Sequence, residues 1–361
     1  MQIFIKIIFI IFYHYFVFFA KIDIISIFNF LKLKHMQNKI KELEKLINNS
    51  QNIALYSHIR MDPDTFWSAW ALYFILKKIW KTIILLNDEQ APVEFEFMWS
   101  NEIITTSWNL EEFKPNLIIS LDAASIEQLW DSYKNNIKTI NTTPFIVIDH
   151  HITNKWFWTL NIIDTKSSST CELLFELLEQ LNLIKYIDSK ISTLLITWIL
   201  TDTNVFYNTN VTSKTHQIAW KLFDLWADSR TSIFEFFKKK SVKKTQLLAK
   251  ALWNMKILEN KLNNWKNVIY TIIKQEDFDS IWATNRDTNW IIEHLINIEN
   301  IEIAFIVYPL ENWINKASLR SHSYNVSELA QKLWWGWHKQ AAWCSSSDSL
   351  EIFLEKIIWL I

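Results

Sequence analysis

Residues 145–151 read Phe-Ile-Val-Ile-Asp-His-His. An apolar run rich in β-branched residues, closed by a charged one, describes a strand buried on both faces, as in a parallel sheet. Asp149 ends the strand, and His150 and His151 follow it. The same pattern recurs upstream, where Leu117–Leu121 (Leu-Ile-Ile-Ser-Leu) is continuous and Asp122 comes next. Ile53–Tyr56 and Thr82–Leu86 read as two more short strands. Apolar residues at helical spacing predict helices over Ser68–Ile79, Thr170–Leu181, Ser189–Leu200 and Thr212–Leu225. Another opens at Met36, with Ile40, Leu43, Leu46 and Ile47 in register. Helices alternating with buried strands predict an α/β fold around a parallel sheet.

Toward the C-terminus the basic stretch Lys238–Lys244 carries no strong fold signal and reads as a solvated helix face or linker. A second, smaller α/β unit begins near Leu247. Its expected strands are Val268–Ile273, Ile301–Tyr308 and Lys316–Arg320, with helices at about 288–296 and 326–333. The organisation read from the sequence is an apolar segment over 1–35, a first domain over 36–225, a linker over 226–246 and a second domain over 247–361. Within the first segment, Ile7 to Ala20 is apolar except for tyrosines and His14. Three readings of it stay open: a membrane anchor, a signal peptide with a poor cleavage site at Ala20-Lys21, or a start codon placed too early, with Met36 as the true start.

The chain has 361 residues, room for about two domains at roughly 100–200 residues each. Half of it is hydrophobic (50%), enough for a sizeable core. Lys+Arg is 37 and Asp+Glu is 38, leaving a net charge of -1. That balance excludes the basic field that long nucleic acid demands and an acidic disordered tail. Two cysteines, Cys171 and Cys344, exclude a disulfide scaffold and a cysteine-only zinc site, and fit a reducing, cytoplasmic setting.

One pair of counts stands apart: 1 Gly and 21 Trp. Average usage of about 7% glycine would give about 25 residues here, and the two counts together come close to that. A two-domain α/β chain needs glycine wherever φ must be positive or backbones must touch. Most Trp positions therefore read as glycine. A genome that uses UGA for glycine, translated with a table that reads UGA as tryptophan, gives this pattern.

Acidic and imidazole residues gather just past the expected element ends, where open α/β sheets place their ligands. His58-Ile-Arg-Met-Asp62-Pro-Asp64 follows the first strand, Asp122 the strand ending at Leu121, Asp149-His150-His151 the next, and Thr201-Asp202-Thr203 the helix ending at Leu200. An isolated Asp after a strand is ordinarily a helix N-cap, but four such sites agree here. Two divalent ions about 3.5–4 Å apart need a mixed carboxylate and imidazole set. Oxygen and nitrogen ligands suit Mn²⁺, with Mg²⁺, Co²⁺ or Fe²⁺ as alternatives. Asp62 and Asp64 alternate around Pro63, so one turn can feed both ions.

These residues resemble the DHH phosphoesterase superfamily, named for an Asp-His-His such as 149–151. His58…Asp62-x-Asp64…Trp67-Ser68 is similar to its first motif once Trp67 is read as glycine, Asp122 to its second and Asp202 to its fourth. Met61 stands where proline is common, and Thr65-Phe66 follow Asp64; neither position needs to ligate metal. Near the C-terminus, Leu333-Trp334-Trp335-Gly336-Trp337-His338-Lys339-Gln340-Ala341-Ala342-Trp343, with the same substitution, resembles the Gly-rich signature of the DHHA1 domain. Ser318-Leu319-Arg320-Ser321 lies ahead of it, as in that family. The resemblance covers about 40–361.

The resemblance implies a parallel-sheet DHH domain with helices on both faces, a smaller α/β DHHA1 domain, and an active site in the cleft between them. His58 and Asp62 would bind one metal, Asp64, His150 and Asp202 the other, and Asp122 would bridge the two. Asp149 would orient an adjacent histidine, and His151 would face the scissile phosphate. Arg320, His338, Ser318, Ser321 and the loop around Gly336 would hold a substrate phosphate or terminal nucleotide, Arg320 by a bidentate fork.

Several activities share this plan. The compact layout is most similar to the nanoRNase group, which removes mononucleotides from very short RNAs by two-metal activated water and often dephosphorylates 3′-phosphoadenosine 5′-phosphate. A near-neutral charge suits a short substrate held by its end. A cyclic-di-AMP or pGpG phosphodiesterase is the second reading, strengthened if residues 1–20 anchor the chain to a membrane facing the cytoplasm. A RecJ-like single-strand exonuclease normally carries additional domains. A nucleotide-binding module without catalysis is the reading from another class. A homodimer is expected by analogy.

Overall fold

The computed structural model describes residues 34–57, 63–87, 104–105, 109–151, 153–154, 158–262, 266–288, 290–310, 313–333 and 339–361. The chain divides into two compact units, Met1–Lys238 and Lys239–Ile361. The division falls inside 226–246, the stretch read as linker, and much of that stretch is helical.

The first unit opens with α1 (34–49), β1 (Asn52–Tyr56), α2 (Pro63–Lys78), β2 (Thr82–Leu86) and the short β3 (Ile104–Thr105). Then come α3 (Leu110–Phe113), β4 (Leu117–Leu121), α4 (Trp130–Asn135), α5 (Ile137–Thr142), β5 (Phe145–Asp149) and β6 (Leu160–Ile163). Helices α6 (Thr170–Gln180), α7 (Ser189–Asp202), α8 (Ser213–Asp224) and α9 (Ser229–Ile233) follow. The strands form one sheet in the order β3-β2-β1-β4-β5-β6, and every pairing is parallel.

Alternation along the strands serves two cores. Ile53, Leu55, Leu117, Ile119, Ile146 and Ile148 face the larger core, which α1, α2, α6 and α7 complete. Ala54, Tyr56, Ile84, Ile118 and Phe145 face the other way, onto Leu110, Leu129 and Ile140. Helices thus cover both faces, which is why these strands are apolar throughout rather than alternating. Helix α2 starts at Pro63, a turn earlier than its apolar spacing predicts, because proline fits a first helical turn. Ser169 and Asp188 cap α6 and α7, each accepting a backbone N–H from the first turn.

The second unit contains α10 (Val242–Trp253), β7 (Lys256–Leu258), β8 (Asn267–Ile272), α11 (Gln275–Asp279), α12 (Ile291–Ile296), β9 (Ile301–Pro309), β10 (Asn315–Ser321), α13 (Val326–Lys332), β11 (Ala341–Ser346) and α14 (Leu350–Leu360). Its sheet runs β11-β10-β9-β8-β7, with β8 and β9 parallel and the other pairs antiparallel. The single helix expected at about 288–296 is two pieces, a 3₁₀ turn at Asn285–Thr288 and α12. Among the described residues no helix is long and apolar enough to cross a membrane.

Candidate metal centre

Strand order reverses direction between β1 and β4, since β2 and β3 lie to one side and β5 and β6 to the other. In open α/β sheets the ligand crevice lies outside the carboxyl ends at that point. Asp122 sits there, directly after β4. Its N–H donates to the Ile148 carbonyl at 2.9 Å, which ties it to β5. It is fully buried and left-handed, with φ 59. Such a conformation is sparse for any residue with a Cβ, though Asp tolerates it better than most.

Asp202 was expected after a helix ending at Leu200. Instead α7 continues through Asp202 and presents it from the last turn. The chain then winds through Asn204, Val205 and Phe206, all left-handed with φ 47, 56 and 63. Thr203 braces that turn: its hydroxyl donates to the Ile199 carbonyl and accepts the Phe206 N–H. A left-handed L-residue costs about 1–2 kcal/mol, so strain is concentrated immediately after this carboxylate.

His150 Nε2 lies 3.8 Å from Asp122 Oδ1 and 3.9 Å from Asp202 Oδ2. His151 Nδ1 lies 3.5 Å from Asp122 Oδ1. One ligand atom from each of Asp122, His150 and His151 falls within 4.8 Å of the others. His150 Nδ1 sits 3.3 Å from the Ser167 carbonyl. A carbonyl only accepts, so the ring hydrogen belongs on Nδ1, and Nε2 turns a lone pair toward two carboxylates. Three electron-rich atoms facing one another repel unless a cation lies among them. Ligands about 2.0–2.2 Å from an ion can be up to about 4.4 Å apart, so the observed spacings fit. The donor set therefore fits a divalent cation.

Asp149 has a different job. It is fully buried. Oδ1 accepts from His151 Nδ1 at 2.7 Å and from the backbone N–H groups of His150 and His151 at 2.8 and 3.2 Å. Oδ2 accepts from the Asn154 amide at 2.7 Å. Burial alone would push this carboxyl up, but the hydrogen bond and charge of His151, the Asn154 amide and the His151 N–H together outweigh it and hold it below the usual carboxylate range. Asp149 thus fixes His151 through Nδ1. Beneath the centre, Cys171 is fully buried. Burial, followed by the charges of Asp202 and Asp122, pushes its thiol well above the usual value.

The structure brings together Asp122, Asp149, His150, His151 and Asp202. His58, Asp62, Gly336 and His338 lie outside the described residues, and of Asp64 the structure describes the backbone alone, in the first turn of α2. Sequence reasoning missed Asn154, Ser167 and Thr170. Thr170 donates its hydroxyl to Asp122 Oδ1 at 2.9 Å. The run Ser167-Ser168-Ser169-Thr170 before an apolar helix could have drawn attention to that turn.

In the second unit, Ser318 and Arg320 share one face of β10, and Ser321 lies on the other. Arg320 Nε donates to Glu293 Oε1 at 3.0 Å, and Nη1 to the Leu319 carbonyl at 3.1 Å. The Ser321 hydroxyl is buried and donates to the Tyr324 carbonyl at 2.5 Å. The three side chains expected to act together are therefore split between two faces.

Residues 52–199 match the model of the DHH family, N-terminal domain. The chain is 25% identical over 308 residues to the bifunctional oligoribonuclease and PAP phosphatase NrnA of Bacillus subtilis (strain 168), covering 84% of this chain and 92% of that protein. It is also 25% identical over 329 residues to a membrane protein-large ribosomal subunit bL9 fusion protein of Aster yellows witches'-broom phytoplasma. There it covers 85% of this chain and spans only 36% of the relative's length. An exopolyphosphatase-related protein from Bacteroides fragilis has a similar fold, with a TM-score of 0.80 at 20% identity, covering 90% of this chain and 95% of that one.

Proposed function

The chain belongs to the DHH phosphoesterase superfamily, and from that premise we propose that it hydrolyses short oligoribonucleotides to mononucleotides, and 3′-phosphoadenosine 5′-phosphate, with two divalent cations, Mn²⁺ foremost. The observation that carries the reading is the meeting of Asp122, His150, His151 and Asp202 outside the carboxyl ends of the parallel strands. The similarity to the Bacillus protein supports the substrate class.

Asp64, His150 and Asp202 would hold one cation, as the resemblance implies. His58 and Asp62 would hold the second, and Asp122 would serve both, again as the resemblance implies. When bound, the cations lower the pKa of water and offset charge that builds on phosphorus. Asp149 accepts from His151 Nδ1 and so fixes the orientation of the ring, whose Nε2 edge would face the scissile phosphate as the resemblance implies. Glu293 and the Leu319 carbonyl steady the Arg320 guanidinium by Nε and Nη1, leaving further N–H groups to grip a terminal phosphate. Ser318, Gly336 and His338 belong to the same substrate grip. A cytoplasmic setting and a homodimer are part of the proposal.

The second reading, a cyclic-di-AMP or pGpG phosphodiesterase, is favoured by the apolar run 7–20 and by similarity to a relative named as a membrane protein. A substrate panel in Mn²⁺ separates the two. Release of mononucleotides from short RNA and of phosphate from phosphoadenosine phosphate is expected. Turnover of cyclic-di-AMP alone would select the second reading, and full activity in excess chelator would contradict both.

A further inference from the structure

We infer that Thr170 is a positioning residue of the metal centre, and that the turn Ser167–Thr170 is the platform on which the ligands are set. The inference rests on the reading of Asp122, His150 and Asp202 as metal ligands. The turn touches Asp122 and His150 directly and is linked to the Asp202 backbone through Asn210. Thr170, fully buried, donates to Asp122 Oδ1 at 2.9 Å. The Ser167 carbonyl faces His150 Nδ1 and so selects the tautomer that offers Nε2. The Ser168 carbonyl accepts from Asn210 Nδ2 at 2.9 Å, and the same amide lies 3.5 Å from the Asp202 carbonyl.

The platform is itself pinned from below. Ser168 Oγ and Thr215 Oγ1 both donate to Glu172 Oε2, at 2.6 and 2.7 Å. Lys214 Nζ reaches Glu176 at 3.0 Å, Glu172 at 3.3 Å and Asp164 at 3.7 Å. Such a network, centred on the buried Glu172, is stiff because each charge depends on the next. Groups that hydrogen-bond to metal ligands fix their orientation, and losing one typically weakens metal affinity about 10–100-fold.

The test measures Mn²⁺ affinity of the purified chain by the electron paramagnetic resonance of free Mn²⁺, together with the melting temperature with and without metal. Thr170→Val removes the hydroxyl and keeps the shape; Thr170→Ser keeps the hydroxyl. The valine variant is expected to bind Mn²⁺ about 10–100-fold more weakly and to show a smaller metal-induced rise in melting temperature. The serine variant should bind like wild type. Should the valine variant not fold, Thr170→Ala provides the same comparison. A valine or alanine variant with wild-type affinity and metal-induced shift, even if its metal-free form melts lower, would overturn the inference. A wild-type chain that binds no Mn²⁺ would instead remove the metal-centre reading on which it stands.

The backbone carries a second, independent inference. Trp80, Trp226 and Trp282 are left-handed, with φ 64, 64 and 57, each just past a helix end. All three close the same motif. Trp80 N–H donates to Lys77 and Lys81 N–H to Leu76; Trp226 pairs with Phe223 and Ala227 with Leu222; Trp282 pairs with Asp279 and Ala283 with Phe278. This is the Schellman cap, whose left-handed position takes glycine or, less often, Asn. Asn182 fills the equivalent place after α6, with Asn182 N–H on Glu179 and Leu183 N–H on Leu178. Trp313, φ 61, lies between β9 and β10. These indoles are 83–94% exposed, so no packing compensates the conformation. We propose that the native chain carries glycine at these four positions. Peptide mass spectrometry of the protein from its source is expected to give glycine masses there. Tryptophan masses at 80, 226, 282 and 313 would overturn the proposal.

Discussion

Asp122 is strained, buried and shared: His150, His151 and Thr170 all approach one of its oxygens. Asp122→Ala should therefore abolish tight Mn²⁺ binding and lower kcat/KM by about 10³-fold or more, since a lost Lewis acid is worth several kcal/mol. Titration calorimetry and initial rates check this; near-wild-type rates would remove the two-cation scheme. Arg320→Ala, which on the proposed reading removes a grip on substrate rather than a metal ligand, should raise KM with little loss of kcat. At the left-handed turns, Trp80→Gly and Trp226→Gly should each stabilise by about 1 kcal/mol, the conformational cost of a Cβ less the entropy that glycine loses. Thermal melts should rise by about 2–4 °C for each. A fall would show that the indoles contribute packing after all. That Asp122, His150 and His151 would gather was legible in the sequence because each follows an apolar run that announces a strand end, whereas Asp202 rides on the last turn of a helix. Asn154 and Thr170 were not, because what they touch is fixed only by folding: Thr170 meets a carboxylate 48 residues away.

Elements were legible in proportion to their apolar continuity. Strands β4 and β5, buried on every residue, fall where the pattern places them. Strand β6 escaped notice because Asn161 interrupts its short run, and β11 because its Ala-Ala-Trp-Cys-Ser-Ser reads as the tail of a Gly-rich motif rather than as a strand. Helix α7 outran its prediction by two residues, since Thr201 and Asp202 look like a stop but keep helical geometry. Two elements make checkable claims. Asp188 caps α7 and takes Lys78 of α2 at 2.5 Å, so Asp188→Ala should cost about 1 kcal/mol, measured by denaturant melts. Glu302 on β9 accepts from Lys266, from Ser323 twice and from the Tyr324 N–H. Burial alone would raise its pKa, but these bonds outweigh it and lower it to about 2. The depressed value means that its stabilisation is complete above pH about 4.5 and drains away as pH falls toward about 2. Glu302→Gln should flatten the acid limb of stability across that window; an unchanged limb would contradict the assignment.

At the scale of the molecule, two units divide the work unequally. The carboxylates and imidazoles brought together lie in the first, while Arg320 and its neighbours lie in the second. Ligand binding stabilises only what it touches. Mn²⁺ at about 100 times its dissociation constant should add about 2.7 kcal/mol to the unit that holds it. In calorimetry, metal should move the transition of the first unit, and chelator should return it. A net charge of -1 gives no long-range pull on a polyanion, so affinity should depend on the ends of a short substrate and fall only shallowly with salt. The account as a whole stands on cations gripped by side chains from separate strand and helix ends. Anomalous diffraction at the manganese edge, from crystals grown with Mn²⁺, looks at that grip directly. The account predicts strong peaks within coordination distance of Asp122, His150 and Asp202. Manganese bound elsewhere, or absent from these three side chains, would contradict it.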